Sequence, residues 1–203
     1  ADADGAIETR RGGLVGARNL MSMWSGWRNL TAHPRVSPLV AEHVGPTAGL
    51  VRILYFDKPP GQSWSLPLHR DKTIAVDAHH QPPHPYAKPT VKAGVPHVEA
   101  SEELLAQMLT LRVHLDPMND ENGQLFVVPR SHLALSQTSV DAAVPIHCGA
   151  GDLFAMRPLL LHGSHAAKPD TALHRRVVHL EIAPSRSLPH PYRWHQFQSI
   201  RSG

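Results

Sequence analysis

The chain has little of what marks several protein classes. Cysteine occurs once, at Cys148, which excludes an internal disulfide framework and fits a reducing, cytoplasmic setting. The residue itself reads as a small half-buried side chain. No apolar run approaches the roughly 18 residues that a membrane span needs. Residues 1–13 are polar and charged and carry no apolar signal-peptide core. The formal charge is only +3, with a pI near 9.3, and basic residues are scattered, with pairs at Arg10–Arg11 and Arg175–Arg176. There is no Lys/Arg stripe with interleaved aromatics, which argues against a nucleic-acid surface. No internal repeat or low-complexity tract is present.

What is there points to one globular domain. The chain has 203 residues, 41% of them hydrophobic and 18% charged, enough for one substantial core and too few for two. Nineteen prolines exclude long helices, and 16 histidines are many for this length. Residues 14–46 read as short helices and loops, with a capped helix from Ser37 to Val44 ended by Gly45–Pro46. Leu50 to Asp57, LVRILYFD, reads as a strand followed by a turn at Lys58-Pro59-Pro60-Gly61. Trp64 to Val76 reads as strand-like. Residues 77–98 hold five prolines and few periodic apolar positions, the pattern of a long lid, binding loop or disordered segment. Its histidines His79, His80 and His84 suggest a second metal site only weakly, since no fixed scaffold is evident. Trp24, Trp27 and Trp64 read as packing residues.

Ser101 to Met108 carries a helix-capping pattern, and from Leu109 the chain reads as all β. Strands are expected at Thr110–Leu115, Gln124–Val128, Pro145–His147 and Arg175–Ala183. Another lies in LFAMRPLLLH, where Pro158 marks a bulge or edge. Short strands with polar turns behind a short helical lead suggest a mainly β, double-sheet jelly roll.

Chemistry concentrates in His69-Arg70-Asp71. On a strand, residues i and i+2 share a face, so His69 and Asp71 grip one ion while Arg70 points away. Alone, H-x-D is weak among 16 histidines. A third ligand sharpens it, because two His and one carboxylate form a facial triad that leaves three octahedral positions of iron(II) open. His162 follows Leu159-Leu160-Leu161 and precedes Gly163–Ser164, well placed to face a barrel mouth. His165 is the local competitor. A keto-acid co-substrate also needs a fixed cation for its far carboxylate, and arginine's planar fork suits that. Alternation groups Arg175 with Val177, His179 and Glu181, and Arg176 with Val178, Leu180 and Ile182. A polar interior and a helix-packed exterior favour Arg175 inward; the opposite assignment stays open.

These stretches are similar to a known family. LVRILYFDKPPGQSW, PLHRD, LRVHLDPMNDENGQLFVVPRSH, GDLFAMRPLLLHGSHA and RRVVHLEI, in that order across residues 50–183, resemble the phytanoyl-CoA dioxygenase family in the broad sense that includes ectoine hydroxylase. The resemblance implies a cupin-like double-stranded β-helix over residues 50–203 on a helical lead over 1–49. It implies iron(II), 2-oxoglutarate and O₂, with hydroxylation of a small molecule and release of succinate and CO₂. It implies His69, Asp71 and His162 as metal ligands, and Arg175 with Ser164 as the co-substrate carboxylate site. Lys58 and Arg52 fall where the family contributes pocket contacts. A carboxylate at Asp71 implies hydroxylation rather than halogenation. The chain departs from the family's P-G-S-H at Pro129-Arg130-Ser131-His132, which suggests a changed turn. It also has Leu68 for an aromatic and Arg70 for a glutamine. Two alternatives stand beside this: a cupin-like isomerase or lyase without oxoglutarate, and a jelly-roll binding module without catalysis. Oligomeric state is not readable.

Overall fold

A computed structural model describes residues 6–10, 13–62, 64–136 and 140–200. Residues 1–5 of the polar N-terminus, and Arg11 of the Arg10–Arg11 pair, lie outside the described residues. The chain begins with a hairpin, β1 (Ile7–Arg10) and β2 (Gly13–Ala17). Three short helices follow, α1 (Leu20–Met23), α2 (Trp27–Thr31) and α3 (Ser37–His43). Next come β3 (Gly49–Lys58), β4 (Leu66–His69) and β5 (Thr73–Ala75), then β6 (Ala87–Lys92) and β7 (Val95–Glu99). Helix α4 (Glu102–Gln107) starts at Ser101, whose hydroxyl accepts from the Leu104 amide at 3.4 Å. The remaining strands are β8 (Leu109–His114), β9 (Leu125–Val127), β10 (Val144–Ile146), β11 (Leu153–Met156), β12 (His162–Ser164), β13 (Arg175–Ala183) and β14 (Gln198–Ser199).

These strands form a jelly roll. One sheet has the order β1-β2-β3-β13-β8-β11, with β14 on β3; a second has the order β10-β9-β12-β4; a third, small one is β5-β7-β6. β13 shows why the large sheet is two-faced. Val178, Leu180 and Ile182 are buried on its outer side with Trp27, Val36 and Val40 of the helical lead. Removing these side chains from water is the main stabilising term there, about 1.5–3 kcal/mol for each large one. Arg175, His179 and Glu181 are also buried, but on the inner face that looks toward the second sheet. Met118, Leu125, Val127, Met156 and Leu160 close the space between the two sheets at one end.

Four expectations are corrected. Residues 14–46 are not all helix and loop, because β2 joins the large sheet through Gly16↔Phe56 and Ala17↔Tyr55. Helix α3 carries no side-chain cap: its cap position is Val36, and Ser37 is its first residue. LFAMRPLLLH is not one strand but two in different sheets, with a turn at Arg157–Leu160 closed by the Leu160 amide on the Arg157 carbonyl at 2.9 Å. Pro158 has no amide to extend the first strand, so the chain leaves one sheet there and enters the other. Residues 77–98 are not one irregular loop, since β6 and β7 pair as a hairpin with Lys92 opposite Val95. Its two-residue turn, Ala93–Gly94, has φ of +52° and +75°, the primed geometry that matches strand twist. Alanine rarely takes that conformation, so the turn is hidden in the sequence.

Arg130 behaves similarly. The turn after β9 keeps its left-handed residue, with Arg130 at φ +64° although exposed, so the substitution strains the turn rather than changing it. Arg130→Gly is expected to stabilise the fold by about 0.5–1 kcal/mol, after subtracting the greater freedom of glycine in the unfolded chain. Denaturant midpoints of the two proteins check this; an unchanged or lower midpoint removes strain as the account.

Candidate metal centre

β4 and β12 lie side by side, antiparallel, with His162 opposite His69. This pairing brings two imidazoles distant in sequence to a ring-centroid distance of 4.4 Å. Asp71 follows β4, its amide donating to the Pro158 carbonyl at 3.0 Å. Asp71 Oδ1 lies 3.9 Å from His69 Nε2, and Oδ2 lies 3.6 Å from His162 Nε2. One ligand atom from each residue falls within 4.8 Å of the others, and this is the one such group of three among the described residues. Arg70 points the opposite way: its Nε donates to the Leu159 carbonyl at 2.9 Å, and its terminal nitrogen to that of Ser131 at 3.2 Å. Arg70 thereby braces the turn that delivers His162. Gly163 follows because nothing larger fits: a Cβ there would sit 2.8 Å from the Leu66 carbonyl and 2.5 Å from the Phe126 ring.

The protonation pattern suits a metal. His69 Nδ1 faces the Pro67 carbonyl and His162 Nδ1 the Leu160 carbonyl, each at 2.8 Å. A carbonyl only accepts, so both Nδ1 atoms carry the proton and both Nε2 lone pairs face Asp71. This backbone anchoring orients imidazole ligands in metal sites. Burial also holds His162 well below the ordinary histidine value, against the pull of Asp71, so it is neutral at pH 7. Two imidazoles presenting Nε2 and a carboxylate, aimed at one point, fit a divalent iron with open positions.

The triad opens into a cavity of about 450 Å³, walled by Leu54, Phe56, Trp64 and Leu66 and lined by Arg112, Ser164, Arg175, His179 and Glu181. Trp64, read as a packing residue, is a wall of this cavity and lies 5.6 Å beneath the Lys58 ammonium. Trp27 is buried in the core, whereas Trp24 is 39% exposed. Lys58, 1% exposed, donates to Ser164 Oγ at 2.9 Å and to the His165 carbonyl at 2.7 Å. Burial, then Arg175 and Arg112, push it down to about 6. Arg175 is opposite Lys58 across β13 and β3; it donates to the Gly123 carbonyl at 2.9 Å, while its Nε has no partner. Burial pushes Arg175 down to about 9, so it stays charged at neutral pH. Arg176 is on the outside, in a bidentate pair with Asp116 at 2.6 and 2.8 Å. Lys58, Ser164 and Arg175 therefore converge, and Arg176 does not join them. His165 contributes only its carbonyl and stacks its ring on Phe126 at 4.5 Å.

Arg52 is apart from this group, paired with Glu181 and donating to the Thr73 carbonyl at 2.9 Å. Burial opposes the ionisation of Glu181, yet the Arg52 guanidinium holds it down to about 2. Sequence reasoning missed Arg112, and named His179 and Glu181 only as sharing the inward face of Arg175. Arg112 reaches His179 Nδ1 at 3.5 Å, which puts the imidazole proton on Nε2, 3.5 Å from Glu181 Oε1. The signal was available, because a charge in a strand as apolar as LTLRVHL is either paired or lining a site. His79 bonds the carbonyls of Thr90 and His97, each at 3.1 Å, and His80 lies edge-on to Tyr192. They brace the hairpin rather than form a ligand set.

The comparisons agree with this architecture. The family model described as phytanoyl-CoA dioxygenase (PhyH) matches residues 17–177. No curated protein sequence matches the chain. Among solved structures, EctD from S. alaskensis with 2-oxoglutarate and 5-hydroxyectoine superposes with a TM-score of 0.64 at 16% identity, over 90% of this chain and 61% of that one. EvdMO1 gives 0.61 at 23% identity, over 90% and 39%. The non-heme alpha ketoglutarate dependent epimerase SnoN from nogalamycin biosynthesis gives 0.59 at 17%, over 89% and 65%. At these identities the likeness is one of fold. The chain spans less than two thirds of each of these three proteins. Among the described residues no helix is long and apolar enough to cross a membrane.

Lys58 yields a test without any ligand. Its folded-state value lies below that of an exposed lysine, so between about pH 6 and 10 the unfolded chain binds a proton that the folded chain refuses. Stability then rises with pH across that window. Lys58→Met is expected to raise the melting temperature at pH 7, and the gain should shrink toward pH 10. A gain independent of pH would show that the ammonium is not the source.

Proposed function

The chain belongs to the phytanoyl-CoA dioxygenase family, and from that premise we propose that it is a non-haem iron(II) oxygenase that uses 2-oxoglutarate and O₂ to hydroxylate a small organic substrate, releasing succinate and CO₂. One observation carries the reading: two imidazoles with committed Nδ1 protons and one carboxylate face a single point beside the buried Arg175 guanidinium and the buried Lys58 amine. Without an anion, burial and Arg175 hold Lys58 down to about 6; an anion between the two would restore its proton and complete a binding site.

In this reading His69, Asp71 and His162 hold the metal, which when bound supplies the O₂ chemistry that side chains lack. Arg175 and Lys58 take the far carboxylate of the co-substrate, with the Ser164 hydroxyl as a third contact. The unpartnered Arg175 Nε is a donor held ready. Trp64, Phe56 and Leu54 exclude water from the cavity. Asp71 keeps a carboxylate where a smaller residue would leave room for a halide, which supports hydroxylation. The lead over 1–49 and the barrel over 50–203 act as one domain, and the lone Cys148 supports a cytoplasmic setting. The intact ligand set favours this reading over an inactive binding module, and the buried Arg175 guanidinium favours it over a lyase without a keto-acid co-substrate.

Two variants test it. Asp71→Ala is expected to abolish oxoglutarate-dependent succinate release in a screen of candidate metabolites. Arg175→Gln should weaken oxoglutarate binding on the order of a hundredfold, since it truncates a buried charge pair. Anaerobic titration of the iron(II)-loaded protein with oxoglutarate measures the second. Unchanged succinate release in the first variant, or unchanged oxoglutarate affinity in the second, would reject the assignment.

A further inference from the structure

The cavity holds a second group of cations that the co-substrate does not account for. Arg18, just after β2, Arg52 on β3 and Lys92 at the end of β6 line the same cavity as the triad. Two of them meet at Thr73: an Arg52 terminal nitrogen donates to its carbonyl at 2.9 Å, and Lys92 Nζ to its hydroxyl at 3.1 Å. Thr73 is two residues beyond Asp71, about 7 Å of extended chain. Ser164, which marks the Lys58–Arg175 group, is two residues beyond His162.

The strand register puts these groups on opposite sides of the triad. β4 and β12 are antiparallel, with His162 opposite His69 and Ser164 opposite Leu66. Moving from His162 to Ser164 therefore moves away from Asp71 and Thr73. β3 agrees, since Lys58 and Arg52 are six residues apart on its inner face, roughly 20 Å along the strand. A short diacid held at the metal by one end reaches one group and not the other.

Charge points the same way. Glu181 is committed to Arg52. The other carboxylates lining the cavity are Asp71, a triad member, and Glu8, which together with Glu181 favours the charge on Arg18. A co-substrate dianion offsets no more than the charge of a ferrous ion, so the charge on Lys92, which bonds the neutral Thr73 hydroxyl, remains. Burial, then Arg52, lower both Arg18 and Lys92 from their ordinary values, a repulsion that an anion between them would relieve.

We propose that Arg18 and Lys92 form the substrate-binding end of the cavity and that the substrate is a small organic anion, a carboxylate or a phosphate monoester, held by its acid group. The proposal names the substrate class for the oxygenase reading and rests on that reading. A volume of about 450 Å³ is in the lower part of the range for small-molecule sites, which suits a small acid. Arg52, anchored on Glu181 and Thr73, is a positioning residue that keeps Lys92 turned toward the triad.

The test needs neither iron nor oxoglutarate, so its failure is distinct from failure of the succinate assay. The metal-free chain is titrated calorimetrically with butyrate, butyl phosphate and the neutral butyramide. At least one anion is expected to bind and the amide not to; the tighter anion identifies the acid group. Arg18→Gln and Lys92→Gln should each weaken that anion about tenfold or more, the loss of one charge-assisted hydrogen bond. Lys92→Arg should retain binding, which separates lost charge from lost folding, and Arg176→Gln, whose guanidinium pairs with Asp116 outside the cavity, should leave it within about twofold. The proposal is overturned if neither anion binds at millimolar concentration or if butyramide binds as tightly. It is equally overturned if Arg175→Gln removes anion binding while Arg18→Gln and Lys92→Gln keep it.

Discussion

The pairing of β4 with β12 is the constraint on which the site depends. It sets His69 against His162 and leaves Asp71 anchored to the Pro158 carbonyl at 3.0 Å. A one-residue slip would turn every side chain of one strand to its other face. Several local features hold that register. Gly163 allows the close approach of β9 and β4, and Arg70 ties the turn before His162 to residues 131 and 159. The Ser131 hydroxyl accepts from the Leu161 amide at 2.7 Å. These residues touch no reacting group, yet they decide whether two imidazoles share an ion.

The large sheet supplies the other half of the site by being two-sided. Its outer face is ordinary core, packed on short helices. Its inner face carries Arg52, Lys58, Arg112, Arg175, His179 and Glu181, all shielded from solvent to an unusual degree. Burying so many ionisable groups costs stability unless they are paired. Arg52 and Glu181 form an ion pair, although the buried Arg52 Nε has no partner. In the proposed reading, the basic groups on either side of the triad receive anions, which offset the cost of keeping them dry.

Much of the fold was legible because its signals are local. RRVVHLEIA alternates cleanly, LVRILYFD is rich in β-formers, and Ser101 caps a helix whose first turn holds Glu102 and Glu103. Elements were missed where the chain breaks a local rule. Ala93 and Arg130 take left-handed conformations that their side chains disfavour, which hid one hairpin and suggested a changed turn elsewhere. LFAMRPLLLH is apolar on both sides of Arg157–Pro158, so hydrophobicity could not show that it crosses between sheets. In the site, His69 and Asp71 were legible as an i, i+2 pair. The Arg18–Lys92 group was not, since nothing in the segments of those two residues says that they meet.

By itself the sequence determined a mainly β domain, the H-x-D pair, a later histidine after an apolar run, and an arginine at the head of the closing strand. Those follow from spacing and alternation, which act over a few residues. Only the tertiary structure decided that residues 69 and 162 are neighbours, that Arg175 faces inward while Arg176 pairs with Asp116 outside, and that cations from β2, β3 and β6 meet in one cavity. The reason is physical. A strand's periodicity states which residues share a face, but which face meets metal, water or core depends on partners that the sheet brings from more than a hundred residues away.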